Sequence, residues 1–138
     1  MPAEELTADD ESATVALWEA AGLTRPWNDP RADFRRALEG PTSAVLGVRR
    51  DDALVGAAVV GEDGHRGWLY YVGVAPAHQG GGVGRALVEA AEGWLHARGV
   101  AKALVMVRRE NDAARGFYSA MDFAEEDVVV LGRRWDPR

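Results

Sequence analysis

The spacing of apolar positions changes several times along this chain, and each change marks an element. Thr7, with Asp9 and Asp10 behind it, reads as a helix N-cap with acids in the first turn, and Gly22 as the matching stop. Val15, Leu17, Trp18 and Leu23 supply its apolar stripe. After the Trp27–Asn28–Asp29–Pro30 turn, Asp29 can cap a second helix, Pro30 suits its first position and Gly40 ends it, with Phe34, Ala37 and Leu38 facing inward. From Thr42 the runs become continuous. Ala44–Val48 and Leu54–Val60 flank Asp51 and Asp52 and predict a β-hairpin. A polar loop from Gly61 to Gly67 leads to Trp68–Val74, a third strand expected to be buried and closed by Pro76.

Val83, Leu87, Val88, Ala91, Trp94 and Leu95 then recur at spacings of three and four up to Gly99, the helical period. A strand Ala103–Val107, a short helix from about Asn111 to Ala120 and a terminal β segment Phe123–Trp135 complete the series. Consecutive strands followed by alternating strands and helices predict an α/β (α+β) architecture with helices on the faces of a mixed sheet. With 138 residues the chain is expected to be a single domain, 1–138.

Between the third strand and the long helix stand Gly80, Gly81, Gly82 and Gly84. Without side chains the backbone there can bring several N–H groups together at a helix end that already carries partial positive charge, which suits a phosphate group. Glycine richness alone is equally compatible with a flexible turn; the position between strand and helix favours binding. A Walker loop requires Lys and then Ser or Thr after its last glycine, but Arg85 and Ala86 follow Gly84. A dinucleotide fingerprint requires a sixth-position glycine, and Arg85 or Leu87 stands there instead.

The stretch Val74-Ala75-Pro76-Ala77-His78-Gln79-Gly80-Gly81-Gly82-Val83-Gly84-Arg85-Ala86-Leu87 resembles the acetyl-CoA signature of the GNAT N-acetyltransferase family. That signature is Arg or Gln, two residues, Gly, one residue, then Gly or Ala, met by Gln79, Gly82 and Gly84. Asn111, Ala114, Phe117, Tyr118 and Phe123 resemble the family's later block, with Asp122 where a glycine is usual. The Arg25–Pro30 and Gly64–Gly67 segments are similar to the family's YpeA-like bacterial branch. The resemblance implies the acyl-CoA N-acyltransferase fold, a mixed sheet of six to seven strands with about four helices. It further implies acetyl-CoA as acetyl donor, a primary amine of an unidentified acceptor (a small molecule or a peptide), and transfer through a ternary complex. A non-catalytic acyl-CoA-binding module of the same fold would share the loop and strand.

Residue by residue, the resemblance implies that N–H groups of Gln79, Gly80, Gly81, Gly82, Val83, Gly84 and Arg85 hold the pyrophosphate. Val72 and Val74 would pair their backbone with the pantetheine arm. Gly73 between them suits either a bulge or close packing. Asn111 would contact the arm or simply cap its helix. Tyr118 matches the family's frequent general acid; its ordinary pKa of about 10 keeps it protonated at neutral pH, though Phe117 and Tyr118 could equally be core aromatics. Trp27 and Asn28 fall where the fold usually builds its acceptor pocket, or anchor the helix pair. Arg85 and Arg115 could reach the cofactor's 3′-phosphate or simply be solvated, and Val128–Leu131 would be the contact strand of a homodimer.

Composition narrows the remaining options. Twenty-two Asp and Glu against sixteen Lys and Arg leave a formal charge of −6, so a nucleic-acid partner is not expected. The absence of cysteine removes disulfides, thiolate metal sites and any acyl-enzyme thioester, leaving direct attack of the amine on the bound donor. The three histidines have no metal-ligand spacing, so no metal is expected. Glu62, Asp63, His65 and Glu110 are candidate bases, none outstanding. No apolar stretch approaches the roughly 18 residues of a membrane span, and Met1–Asp10 lacks the regions of a secretory signal, so a cytoplasmic location is expected.

Overall fold

The computed structural model describes residues 2–136, and the chain divides into two compact units, Met1–Met106 and Val107–Arg138. The first unit opens with a strand that the hydrophobic pattern does not foretell, β1 (Ala3–Glu5), too short and too acidic to show alternation. Thr7 then starts a 3-10 turn over Ala8–Asp10, its N–H donating to Asp10 Oδ2 at 2.9 Å, and α1 (Glu11–Ala20) continues from it. In α2 (Pro30–Glu39) Asp29 caps as expected, its Oδ1 accepting from the N–H groups of Arg31 and Ala32. Strands β2 (Ser43–Arg50) and β3 (Ala53–Glu62) are joined by Asp51 and Asp52 with φ of 51° and 64°, the left-handed pair that matches the twist of a tight hairpin. Then come β4 (Gly67–Val74), a 3-10 turn at Pro76–His78, α3 (Val83–Ala97) and the three-residue β5 (Ala103–Val105).

The sheet runs β1-β2-β3-β4-β5, antiparallel except for the parallel β4–β5 pair. It is mixed, as expected, but has five strands where six to seven were anticipated. Helices cover both faces. On one, Trp18 and Phe34, both fully buried, pack with Leu17, Val45, Ala57 and Val59. On the other, α3 presses Val83 and Leu87 against Gly56, and Leu95 against Gly67. Side chains of Trp18 and Phe34 size contribute on the order of 2–3 kcal/mol each when fully buried.

Helices α1 and α3 stop in the same way. Gly22 (φ 75°) and Gly99 (φ 77°) take the left-handed conformation. The next residue's N–H then reaches back five residues, Leu23 to the Trp18 carbonyl and Val100 to that of Leu95.

The second unit contains α4 (Asp112–Ala120), which ends in the same motif with a different residue. Asp122 occupies the left-handed position (φ 66°), its N–H bonds to Ser119, and Phe123 N–H bonds to the Tyr118 carbonyl. The aspartate that replaces the usual glycine therefore keeps the turn. The expected terminal β segment Phe123–Trp135 does not form. Residues 123–136 hold no strand, and Val128–Leu131 are exposed. A β-prone sequence becomes a strand only with a ladder partner and a surface to bury against, and the described residues give this run neither. Likewise β5 is shorter than the expected Ala103–Val107.

Candidate functional site

Strand β4 was expected to be buried, but only Gly67, Leu69 and Gly73 of its eight residues are. Its β5-side edge is paired only at Gly67, Trp68 and Leu69, opposite Ala103, Leu104 and Val105. Beyond Leu69 the residues Tyr70–Val74 have no neighbouring strand on that side among the described residues, and Tyr70 is exposed. On the other side, β3 pairs Ala57 with Gly73 and Val59 with Tyr70, so two residues of β4, Tyr71 and Val72, oppose the single Ala58. This is a β-bulge, which bends the strand locally. Its left-handed residue is Tyr71 (φ 54°), not Gly73. Gly73 answers to packing: a Cβ there would lie 2.7 Å from Leu23 Cδ1 and 3.4 Å from Trp18 Cδ1.

The open edge leads into the glycine loop. Gln79 Nε2 donates to the Val74 carbonyl at 3.4 Å, a long bond that folds the loop's first residue back on the strand's last. Gly80 (φ 80°) and Gly82 (φ 88°) both need left-handed backbone, and Gly82 is the N-cap of α3 with no side chain capping the helix. The first N–H groups of a helix have no intrahelical acceptor, so those of Val83, Gly84 and Arg85 point out of the helix end with its partial positive charge. Ala86 is the first to bond back, to Gly82 at 3.0 Å. The first unit thus brings Val72, Gly73, Val74, Gln79, Gly80, Gly81, Gly82, Val83, Gly84 and Arg85 into one continuous strip of backbone.

Arg50, which the sequence reading passed over, belongs beside that strip. At the end of β2 its Nη2 donates to the Gly81 carbonyl at 3.1 Å. The only local hint was a basic residue next to the two-aspartate turn; proximity to the loop comes from the antiparallel pairing of β3 with β4. Arg85 pairs loosely with Glu89 at 3.7 Å, one helical turn on.

A second feature lies on the opposite face. The Tyr71 hydroxyl donates to Asp33 Oδ2 of α2 at 2.6 Å, and its ring stacks on Trp18 with centroids 4.3 Å apart. Burial first, and then the hydrogen bond to Asp33, push the Tyr71 phenol well above its ordinary value, so it stays a donor. Next to the Trp27–Asn28 turn, Val15, Glu19, Thr24, Arg25, Pro26, Asp29, Pro30 and Arg31 line an open depression of about 480 Å³. Trp27 and Asn28 themselves do not line it.

Two candidate bases have structural duties. Glu62 accepts from Gly64 N–H and pairs with Arg98 at 3.1 Å. Asp63 accepts from the N–H groups of Arg66 and His65, which hold its carboxyl below the ordinary range.

In the second unit, Asn111 Oδ1 accepts from Ala114 N–H at 3.0 Å and caps α4. Tyr118 meets Phe117 and Phe123 edge-on at 4.9 and 5.4 Å. Burial pushes its phenol up to about 12. Arg115 pairs with Glu125 at 3.2 Å.

Residues 10–123 match the model of the acetyltransferase (GNAT) family. The chain belongs to that family. A GNAT relative described as an acetyltransferase from Yersinia pestis (strain Pestoides F) is 41% identical over 126 residues, covering 91% of this chain and 89% of its own. Among solved structures, AAC(6')-Iy in complex with the bisubstrate analog CoA-S-monomethyl-acetylneamine shares the fold, with a TM-score of 0.84 at 18% identity, covering 97% of both chains. The ribosomal-protein-S18-alanine N-acetyltransferase from Escherichia coli has a TM-score of 0.78 at 26% identity, over 90% of this chain and 77% of its own. As a GNAT member the protein is an acyltransferase. Among the described residues no helix is long and apolar enough to cross a membrane.

Proposed function

We propose that the protein is an acetyl-CoA-dependent N-acetyltransferase whose whole chain, 1–138, works as one domain. The observation that carries this reading is the edge of β4, unpaired past Leu69 among the described residues, running through left-handed glycines into a helix N-terminus that no side chain caps. An extended amide-bearing chain ending in a pyrophosphate fits such a strip: backbone groups of Val72 and Val74 pair with the pantetheine amides, and the N–H groups from Gln79 to Arg85 receive the phosphates. The structural relative AAC(6')-Iy is solved in complex with an analog that carries CoA, which supports a CoA compound as the donor.

Acetyl-CoA supplies the activated acyl carbon and a thiol leaving group. The chain's own residues orient and protonate. The β4 edge holds the thioester in line for attack by a primary amine; a C–N bond forms, the C–S bond breaks, and the amine releases a proton to water. Tyr118 gives its hydroxyl proton to the departing sulfur and regains one from solvent. A phenol pushed up to about 12 is fully protonated at neutral pH, as this role requires. Asn111 serves as the cap of α4 and a contact to the pantetheine arm. Trp27 and Asn28 border the acceptor's approach. The aminoglycoside named for AAC(6')-Iy and the ribosomal-protein-S18 alanine named for the Escherichia coli enzyme support an amine as the acceptor.

Thermal unfolding with acetyl-CoA, CoA, ATP and NAD in parallel tests the donor. A ligand at about 100 times its dissociation constant adds roughly 2.7 kcal/mol. A rise with the two CoA compounds alone is expected; a rise with ATP or NAD alone would sink the reading.

A further inference from the structure

A left-handed backbone at a β-bulge is a glycine position, because a bulky side chain there is strained. Here it is held by Tyr71, while glycine stands two residues later at Gly73, where packing requires it. Strain of this kind persists where the surroundings over-determine the residue, and two contacts do so. The ring stacks on fully buried Trp18, and the hydroxyl donates to Asp33 Oδ2 at 2.6 Å, within the short range of bonds to an ionised oxygen. The bond fixes one carboxylate oxygen of Asp33 and leaves the other without a hydrogen bond among the described residues. Nor does a cation neutralise it. Arg31 and Arg35, on the same helix, both turn to Glu11 at 2.9 and 2.6 Å, and Asp33 enters no ion pair among the described residues. A half-buried carboxylate, oriented by a strained tyrosine and lacking a counter-charge, is arranged for a cation that arrives from outside. Tyr71 directly precedes Val72, so this carboxylate is tethered to the open stretch of β4.

We propose that Asp33, oriented by the Tyr71 hydroxyl, is the carboxylate that receives an ammonium group of the acceptor, so that the acceptors of this protein are cationic amines. The inference rests on the acetyltransferase reading above and deepens it. Asp33 contacts the substrate; Tyr71 is a positioning residue. An ammonium supplies three donors, one of which satisfies the unbonded oxygen of Asp33. A neutral hydroxyl of the same reach would leave the charge uncompensated.

The test uses the full chain with CoA present, ¹⁵N-labelled, titrated with putrescine as the cationic probe and butanediol as its neutral counterpart. Saturable shifts of the Asp33, Tyr71 and Val72 amide resonances are expected with putrescine and not with butanediol. Asp33→Asn should weaken putrescine binding by at least about tenfold, and Asp33→Glu should restore part of it. Tyr71→Phe keeps the stacked ring and should give an intermediate loss with the CoA-induced rise in Tm unchanged, a pattern that a mere structural pin between α2 and the sheet would not produce. Putrescine binding equally to wild type and Asp33→Asn, or shifting only resonances elsewhere, would overturn the inference while leaving the donor reading intact. A wild type whose Tm ignores CoA would overturn the donor reading and this inference with it.

Discussion

Gly56 of β3 lies against Val83, the first residue of α3: a Cβ on Gly56 would come within 2.4 Å of Val83 Cγ1 and 3.0 Å of Leu87 Cδ1. A valine methyl on a stiff, fully buried side chain has nowhere to go, so Gly56→Ala must lift the start of the helix. Overpacking of this kind costs about 1–3 kcal/mol. The expected outcome is a lower Tm together with a smaller CoA-induced rise, because the N–H groups of Val83 and Gly84 move with the helix. An unchanged CoA response in a destabilised variant would separate the helix position from donor binding.

Gly82→Ala tests the loop without any clash, since a Cβ there meets nothing within 4 Å. Only the left-handed backbone (φ 88°) resists the substitution, at about 1 kcal/mol. Calorimetric titration should show CoA binding weakened by several-fold or more, with the folded state otherwise kept. Arg50→Gln, which removes the bond to the Gly81 carbonyl, should act in the same direction and more mildly.

Tyr118→Phe should lower kcat by about 100-fold while leaving the CoA dissociation constant unchanged, the size expected for loss of a general acid. The pH dependence follows from burial. With the phenol raised to about 12, the donor stays protonated well past the ordinary tyrosine value of 10.0, so the wild-type rate should show no loss of a required acid below about pH 10. A downturn near pH 9 that disappears in Tyr118→Phe would contradict this.

Glu11 links α1 to α2. The Arg35 guanidinium, donating at 2.6 Å, and then Arg31 hold its carboxyl below the ordinary glutamate value of 4.5. Because the folded carboxyl is the more acidic, its contribution is present at neutral pH and is lost as pH falls below 4.5 through the folded value. Tm measured between about pH 3 and 6 should drop less steeply for Glu11→Gln than for wild type.

Asp122 and Tyr118 show what the sequence could and could not say. An aspartate in place of the usual glycine left the end of α4 undecided; the structure resolves it, since Asp122 accepts left-handed φ and the Phe123 bond to Tyr118 forms. Asp122→Gly is accordingly expected to stabilise by about 0.5–1 kcal/mol, read as a modest rise in Tm. Helix caps, the Asp51–Asp52 turn and the glycine loop were legible because each is written in neighbouring residues. Helix α3 was legible through its long period. What escaped was non-local. Strand β1 is too short to carry a pattern. The Val128–Leu131 run looks like a strand by composition, but pairing is decided by partners that the run itself does not specify. By sequence Gly73 suited either a bulge or close packing; the bulge lies at Tyr71–Val72 and Gly73 serves the approach of Leu23, a contact that neighbouring residues do not reveal. The Tyr71–Asp33 bond spans 38 residues and could not be read from either segment alone.

The incomplete pairing of β4 has a consequence for handling the protein. A strand edge without a ladder partner is a template on which other chains can assemble, and among the described residues such an edge runs from Tyr70 to Val74, with Tyr70 exposed. A donor lying along that edge would act as a removable border strand. Preparations stripped of CoA should therefore be the ones that precipitate on concentration, and adding it back should improve shelf life as well as turnover.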